Sequence, residues 1–184
     1  MPVLAEEPEA FPPELFAVTP PADARRWWVA HTRPRQEKAV ARQLFTIEMP
    51  YYLPCRKKRS RVGGRVVTSN VPLFSGYVFV RAADAEKWRV MATNRVATLL
   101  PVCDQNRLWA DLRRVRGLLD LGRPVSPERK LEPGTSVTLR DGPLTGMTGT
   151  LIREAGGFKF VVRVDFIQQG VSVTVDGSWL GVAA

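Results

Sequence analysis

The strongest chemical signal in this chain is a cluster of cations. Arg56, Lys57, Lys58, Arg59, Arg61 and Arg65 place six positive side chains within ten positions. Charges at that density favour phosphate, because each contact releases a counterion condensed on the polyanion. The cluster also fits a solvated loop tip whose charges repel one another, and no side chain in it points to a base-specific contact. Reactive chemistry has fewer candidates. The single histidine, His31, sits at the start of a strand-like run. No Ser/His/Asp set, metal-ligand cluster or phosphate-cradling glycine loop is evident. Cys55 and Cys103 lack metal-ligand spacing and are expected to be reduced thiols that pack. The residues therefore predict a binding protein and not an enzyme, with no cofactor and no metal.

The net charge of +9 is unevenly placed. Residues 1–24 carry five acids and no base. Residues 25–126 carry 21 bases against 7 acids, and residues 127–184 carry six of each. All the excess positive charge lies in the middle segment, which suits nucleic acid or an acidic protein surface. No apolar run approaches the roughly 20 residues of a membrane span. The first residues lack the basic flank and apolar core of a signal peptide. The expected compartment is the cytoplasm.

Periodicity supplies the elements that must position these residues. Residues 1–24, rich in Pro, Ala and Glu, are expected to be a mobile tail. Trp27 to Thr32 reads as a short buried strand. Pro34 suits a first helical position, and Val40, Leu44 and Ile47 repeat at helical spacing. The cation cluster then runs into Gly63-Gly64, a tight-turn signal, and Arg65 to Thr68 returns from it as a hairpin. Leu73 to Val80 reads as a central strand. Asp84 is a candidate cap for a short helix bearing Trp88 and Met91. Val96 to Val102 reads as a strand, and Leu108, Leu112, Val115 and Leu119 as a helix ended by Gly122 and Pro124. These elements predict an α+β domain over 25–119, built on a small, mainly antiparallel sheet. Residues 120–132 read as a linker. Residues 133–184, with short Val- and Thr-rich runs between glycines, read as a small closed or nearly closed β-barrel.

Two motifs sharpen this picture. Val137-x-Leu139-x-Asp141-Gly142-Pro143-Leu144-x-Gly146-x-x-Gly149-x-Leu151 combines a tight turn with glycines at bends a Cβ would block. It resembles the KOW motif of NusG-type elongation factors and some ribosomal proteins. Pro72-Leu73-Phe74-Ser75-Gly76-Tyr77-Val78-Phe79-Val80 is similar to the signature strand of the NusG N-terminal (NGN) domain. The aromatic opening Trp27-Trp28-Val29, the following helix and the Tyr51, Tyr52 and Pro54 turn stand where that family has them. The resemblance covers residues 26–184. One departure is Ser75, where the family usually has proline, which loosens the local backbone.

The resemblance implies an NGN-like α+β domain linked to an all-β KOW barrel, in a non-catalytic monomer that rides on RNA polymerase. In the family an apolar depression receives the clamp helices of the polymerase's largest subunit, a helix-in-groove mode in which aromatics act as anchors. The matching positions are Trp28, Pro54, Phe74, Tyr77 and Phe79, each of which also fits a core role. Tyr77 and Phe79 share one strand face and Val78 and Val80 the other. The family places the basic hairpin near upstream DNA and the non-template strand. The KOW domain implies a ribosomal small-subunit protein as partner, and in general NusG also Rho. The matching contact positions are Leu144, Phe166 and Ile167, with barrel packing as the alternative for each. Phe166 and Ile167 would face opposite ways in a regular strand.

Within the family, Pro-Leu-Phe at the signature, Val164-Asp165-Phe166, Val171-Ser172-Val173 and the basic body resemble specialised RfaH-like antiterminator paralogs. The general elongation and termination factor is the alternative, and a ribosomal or RNA-binding KOW protein a more distant one. RfaH itself is known for a helical C-terminal hairpin. The glycines here, with β-branched runs between them, predict strands over 133–182 in this chain.

Overall fold

Every strand pairing in the computed structural model, which describes residues 8–17, 23–130 and 132–180, is antiparallel. In chain order the elements are β1 (Ala10–Phe11), β2 (Arg26–Thr32), α1 (Glu37–Thr46), β3 (Tyr51–Tyr52), β4 (Cys55–Val62), β5 (Arg65–Pro72) and β6 (Tyr77–Ala82). There follow α2 (Lys87–Met91), β7 (Val96–Pro101), α3 (Gln105–Asp120), β8 (Ser126–Glu128), β9 (Thr135–Thr138), β10 (Thr148–Glu154), β11 (Gly157–Val164) and β12 (Gln169–Val175). Two units emerge. One holds the described residues through Cys55 together with Asn70–Gln105. The other holds Arg56–Ser69 together with the described residues from Asn106 onward.

The first unit is built on a sheet in the order β1-β3-β6-β2-β7. Register places Tyr51, Val80, Trp28 and Pro101 in one row across four strands, and Tyr52, Phe79, Val29 and Leu100 in the neighbouring row. Alternation sends these rows to opposite faces. The first face packs with α1 and α2: Val40, Ala41, Leu44 and Val90 are buried in one cluster with Trp28, Ala30, Tyr51, Val78 and Val80. Burying the Val and Leu side chains among them contributes roughly 1.5–3 kcal/mol each. On the other face Phe74 meets Phe79 edge to face at 6.1 Å.

Several expectations need correction here. Within the stretch expected to be a mobile tail, residues 8–17 lie along the edge of the first sheet. β1 pairs with β3, and Leu15 and Ala10 are buried. The rest of the expected tail, 1–7 and 18–22, lies outside the described residues. The signature strand starts at Tyr77, because Leu73 to Gly76 form a turn closed by the Tyr77 N–H on the Phe74 carbonyl (3.2 Å). Helix α1 starts at Glu37 and not at Pro34, since Arg35 stands at φ +60°. Asp84 does not cap the helix. The carboxylate of Glu86 accepts the Ala83 N–H (3.0 Å), while Asp84 pairs with Arg26 and Lys87.

In the second unit the sheet order is β8-β12-β11-β10-β9. Phe160 stands opposite Val173, and Val162 opposite Val171, all buried. The closed barrel is not what the pairing gives: among the described residues β8 and β9 end an open five-stranded sheet. β8 falls inside the stretch read as a linker. Between residues 133 and 180 the structure is strand and 3-10 turn, with no α-helix. The glycine at 149 has a packing reason: a Cβ there would stand 2.5 Å from the Phe160 ring and 2.7 Å from the Val161 carbonyl. Helix α3 buries Leu108, Leu112, Val115 and Leu118, with Leu119 partly outside. Its Asp111 carboxylate, pushed up by burial, accepts the Asp165 N–H at 3.0 Å and pairs with Arg114.

Candidate functional site

The chain leaves the first sheet at Pro54 and returns at Leu73, whose N–H donates to the Pro54 carbonyl at 2.8 Å. Between those points β4 and β5 form a separate two-stranded sheet with its turn at Gly63-Gly64. Arg56 is half-buried, and Lys57, Lys58, Arg59, Arg61 and Arg65 are exposed. Five of the six cations therefore stand in solvent and the sixth partly so. Alternation divides them between the ribbon's two faces: Arg56 and Lys58 on one, Lys57, Arg59 and Arg61 on the other. Val62, Val66 and Val67 are exposed among them, a feature that the charge pattern hid. The ribbon holds no aromatic residue, so it offers phosphate-directed charge without a stacking platform.

The aromatic candidates divide differently. Trp28 is 6% exposed, and its indole N–H donates to the Ala82 carbonyl at 3.0 Å on the helix-covered face. Pro54, Phe74 and Phe79 are buried as well. These four are core in this conformation. Tyr77 alone among the five is partly exposed. Its neighbour is His31, exposed and directly opposite in register, with ring centroids 5.3 Å apart. His31 also contacts the signature turn: a Cβ at Gly76 would meet its ring at 3.6 Å. Gly76 stands at φ +85°, where a side chain is strained, so glycine is required at this turn.

That turn is held from α1. The buried Glu37 carboxylate accepts the Gly76 N–H at 2.6 Å, and the Thr32 N–H donates to the Gly76 carbonyl at 2.8 Å. The sequence alone gives Glu37 no role in the site. The signal available was an acid at a position that faces the sheet side of an amphipathic helix.

In the second unit Leu144 is buried in the Asp141–Gly146 turn. Phe166 and Ile167 do not end a strand. They lie in a 3-10 turn, Asp165–Ile167, between β11 and β12, with Phe166 37% exposed and Ile167 half-buried. The tight turn releases them from strict alternation. Among the described residues no group of His, Cys, Asp or Glu could hold a metal ion, and no helix is long and apolar enough to cross a membrane.

These features define a class of molecule: a chain with an α+β unit on one antiparallel sheet, a separate exposed basic hairpin, and a second unit on a five-stranded antiparallel sheet. The family model for NusG, described as transcription termination factor nusG, matches residues 25–120. The chain belongs to the NusG family, and is a transcription elongation or termination factor in that broad sense, acting with RNA polymerase. A search of curated proteins finds no match.

Proposed function

We propose that the first unit docks on the clamp helices of the largest polymerase subunit, and that this chain is a specialised RfaH-like antiterminator. The observation that carries the reading is the family match over 25–120, the stretch that contains most of the first sheet, α1 to α3 and the basic hairpin. Tyr77, with His31 beside it, is the exposed anchor. Phe74 and Phe79 shape the surface from beneath, and Trp28 and Pro54 stabilise the strands that carry it. The hairpin cations contact upstream DNA or the displaced non-template strand. The KOW-like second sheet recruits a ribosomal small-subunit protein through Phe166 and Ile167, with Leu144 fixing the turn. The protein acts as a monomer in the cytoplasm and turns over no substrate.

The general factor acting with Rho is the second reading, favoured by the termination function in the family description. Two measurements separate the possibilities. Tyr77→Ala, if it stays folded, should weaken binding to core polymerase by about 1–2 kcal/mol, as for an interface anchor. Equal binding by variant and wild type overturns the docking face. In single-round transcription an antiterminator raises read-through at pauses and terminators, whereas enhanced Rho-dependent release assigns the general role.

A further inference from the structure

The segment 8–17 has the composition of a loop, with Pro8, Glu9, Pro12, Pro13 and Glu14 among its ten residues. The structure nevertheless ties it down along the β3 edge of the first sheet. The Tyr51 hydroxyl donates to the Pro8 carbonyl at 2.6 Å, and the Leu53 N–H donates to the Glu9 carbonyl at 2.7 Å. β1 then adds two residues of ladder, and Leu15 is 1% exposed. Two rings grip the sheet from opposite sides. Phe11, part of the helix-covered side, meets Phe45 edge to face at 5.3 Å. Phe16 meets Tyr52 edge to face at 4.7 Å and stacks on Trp27 with centroids 6.1 Å apart.

Tyr52 and Trp27 border the surface assigned to the polymerase. Tyr52 is opposite Phe79, Phe79 is opposite Val29, and Trp27 lies two residues before Val29 on the same face. Phe16 therefore occupies the β3 end of the row Tyr52-Phe79-Val29-Leu100. Its tether is short. A two-residue edge ladder is the kind of element that opens locally at low free energy while the rest of a domain stays folded.

We infer that residues 8–17 are a displaceable strap, and that polymerase docking requires Phe16 to leave Trp27 and Tyr52. The inference rests on the docking reading above and adds an intrachain competitor to it. A strap seated for nine-tenths of the time lowers apparent affinity about tenfold, because only the open fraction is competent.

The test uses the full chain. Wild type, Phe16→Ala and Tyr51→Phe are titrated with core RNA polymerase, and thermal melts confirm that each is folded. Tyr51→Phe removes the bond to Pro8 without shortening the core and keeps the test open should Phe16→Ala unfold. Folded Phe16→Ala should bind about 5–10-fold tighter than wild type, and Tyr51→Phe should shift the same way by less. In the wild type, hydrogen exchange at the Leu53 amide should quicken when polymerase is added, since Glu9 no longer accepts its hydrogen. If wild type binds, the folded variants bind no tighter and Leu53 exchange is unchanged, the strap is overturned and docking stands. If neither wild type nor variants bind, the docking reading falls and the strap with it.

Discussion

Glu37 reaches from the first turn of α1 to the backbone N–H of Gly76, 2.6 Å away and 39 residues later in the chain. Glu37→Ala removes the acceptor and leaves that amide unpaired in a half-buried turn. The expected loss is about 1–3 kcal/mol of unfolding free energy, read from urea denaturation. Glu37→Gln keeps an acceptor oxygen and should recover most of it. If Ala and Gln lose the same amount, the bond is not what holds the turn.

The basic ribbon predicts a salt effect. Replacing Arg56, Lys57, Lys58 and Arg59 with neutral residues should flatten log affinity against log salt for an elongation complex. The slope should fall by up to about 3–4, at roughly 0.7–0.9 for each phosphate no longer neutralised. An unchanged slope would assign the charge to solubility.

Gly149 predicts a packing defect in the second sheet. Gly149→Ala puts a methyl group against the Phe160 ring and the Val161 carbonyl, the latter being backbone that cannot rotate away. Overpacking of this kind destabilises by about 1–3 kcal/mol. Thermal unfolding of the full chain should show the loss, and a variant as stable as wild type would mean that the β10–β11 pair has room to relax.

The Arg25 and Glu86 pair predicts an acid limb. Arg25 holds the Glu86 carboxylate with two bonds, 2.8 and 2.7 Å, and the Ala83 N–H adds a third. These contacts keep Glu86 at about 2, below its ordinary 4.5. A carboxylate depressed in the folded state stabilises above its unfolded value, and that contribution is lost as pH falls from about 4.5 through about 2. Arg25→Met should move the Glu86 carboxyl NMR titration up toward the ordinary range. A midpoint left near 2 would show that the backbone bond alone sustains the shift.

Much of the first sheet, and the separate basic hairpin, could be read from pattern, because Trp27 to Thr32, Val96 to Pro101 and the Gly63-Gly64 turn each carry a local signal of sufficient length. Helix α3 was equally legible from the spacing of Leu108, Leu112 and Val115. The N-terminal strap was not. Averaging over 24 residues rich in Pro and Glu hid the apolar anchors Phe11, Leu15 and Phe16, and the rings that Phe11 and Phe16 meet, Phe45, Tyr52 and Trp27, lie farther along the chain. The aromatic site was half legible. Alternation correctly put Tyr77 and Phe79 on one face, but not which end of that face is covered, and Phe79 proved buried where Tyr77 is not. Phe166 and Ile167 were misplaced because the chain turns at Asp165, with Gln168 at φ +51°, a position where no glycine announced the bend.

The closure of the ribbon's base has an evolutionary consequence. Because the Leu73 N–H meets the Pro54 carbonyl where the strands leave and rejoin the sheet, the chain is closed at those two residues, and neither of them belongs to the ribbon. Insertions, deletions and charge reversals between Cys55 and Pro72 would leave the β3 and β6 pairing intact. A lineage can therefore exchange this ribbon for one of different reach or sign while retaining the same sheet. Diversification among homologues should accordingly concentrate there, in steps that keep the number of residues on the two strands matched.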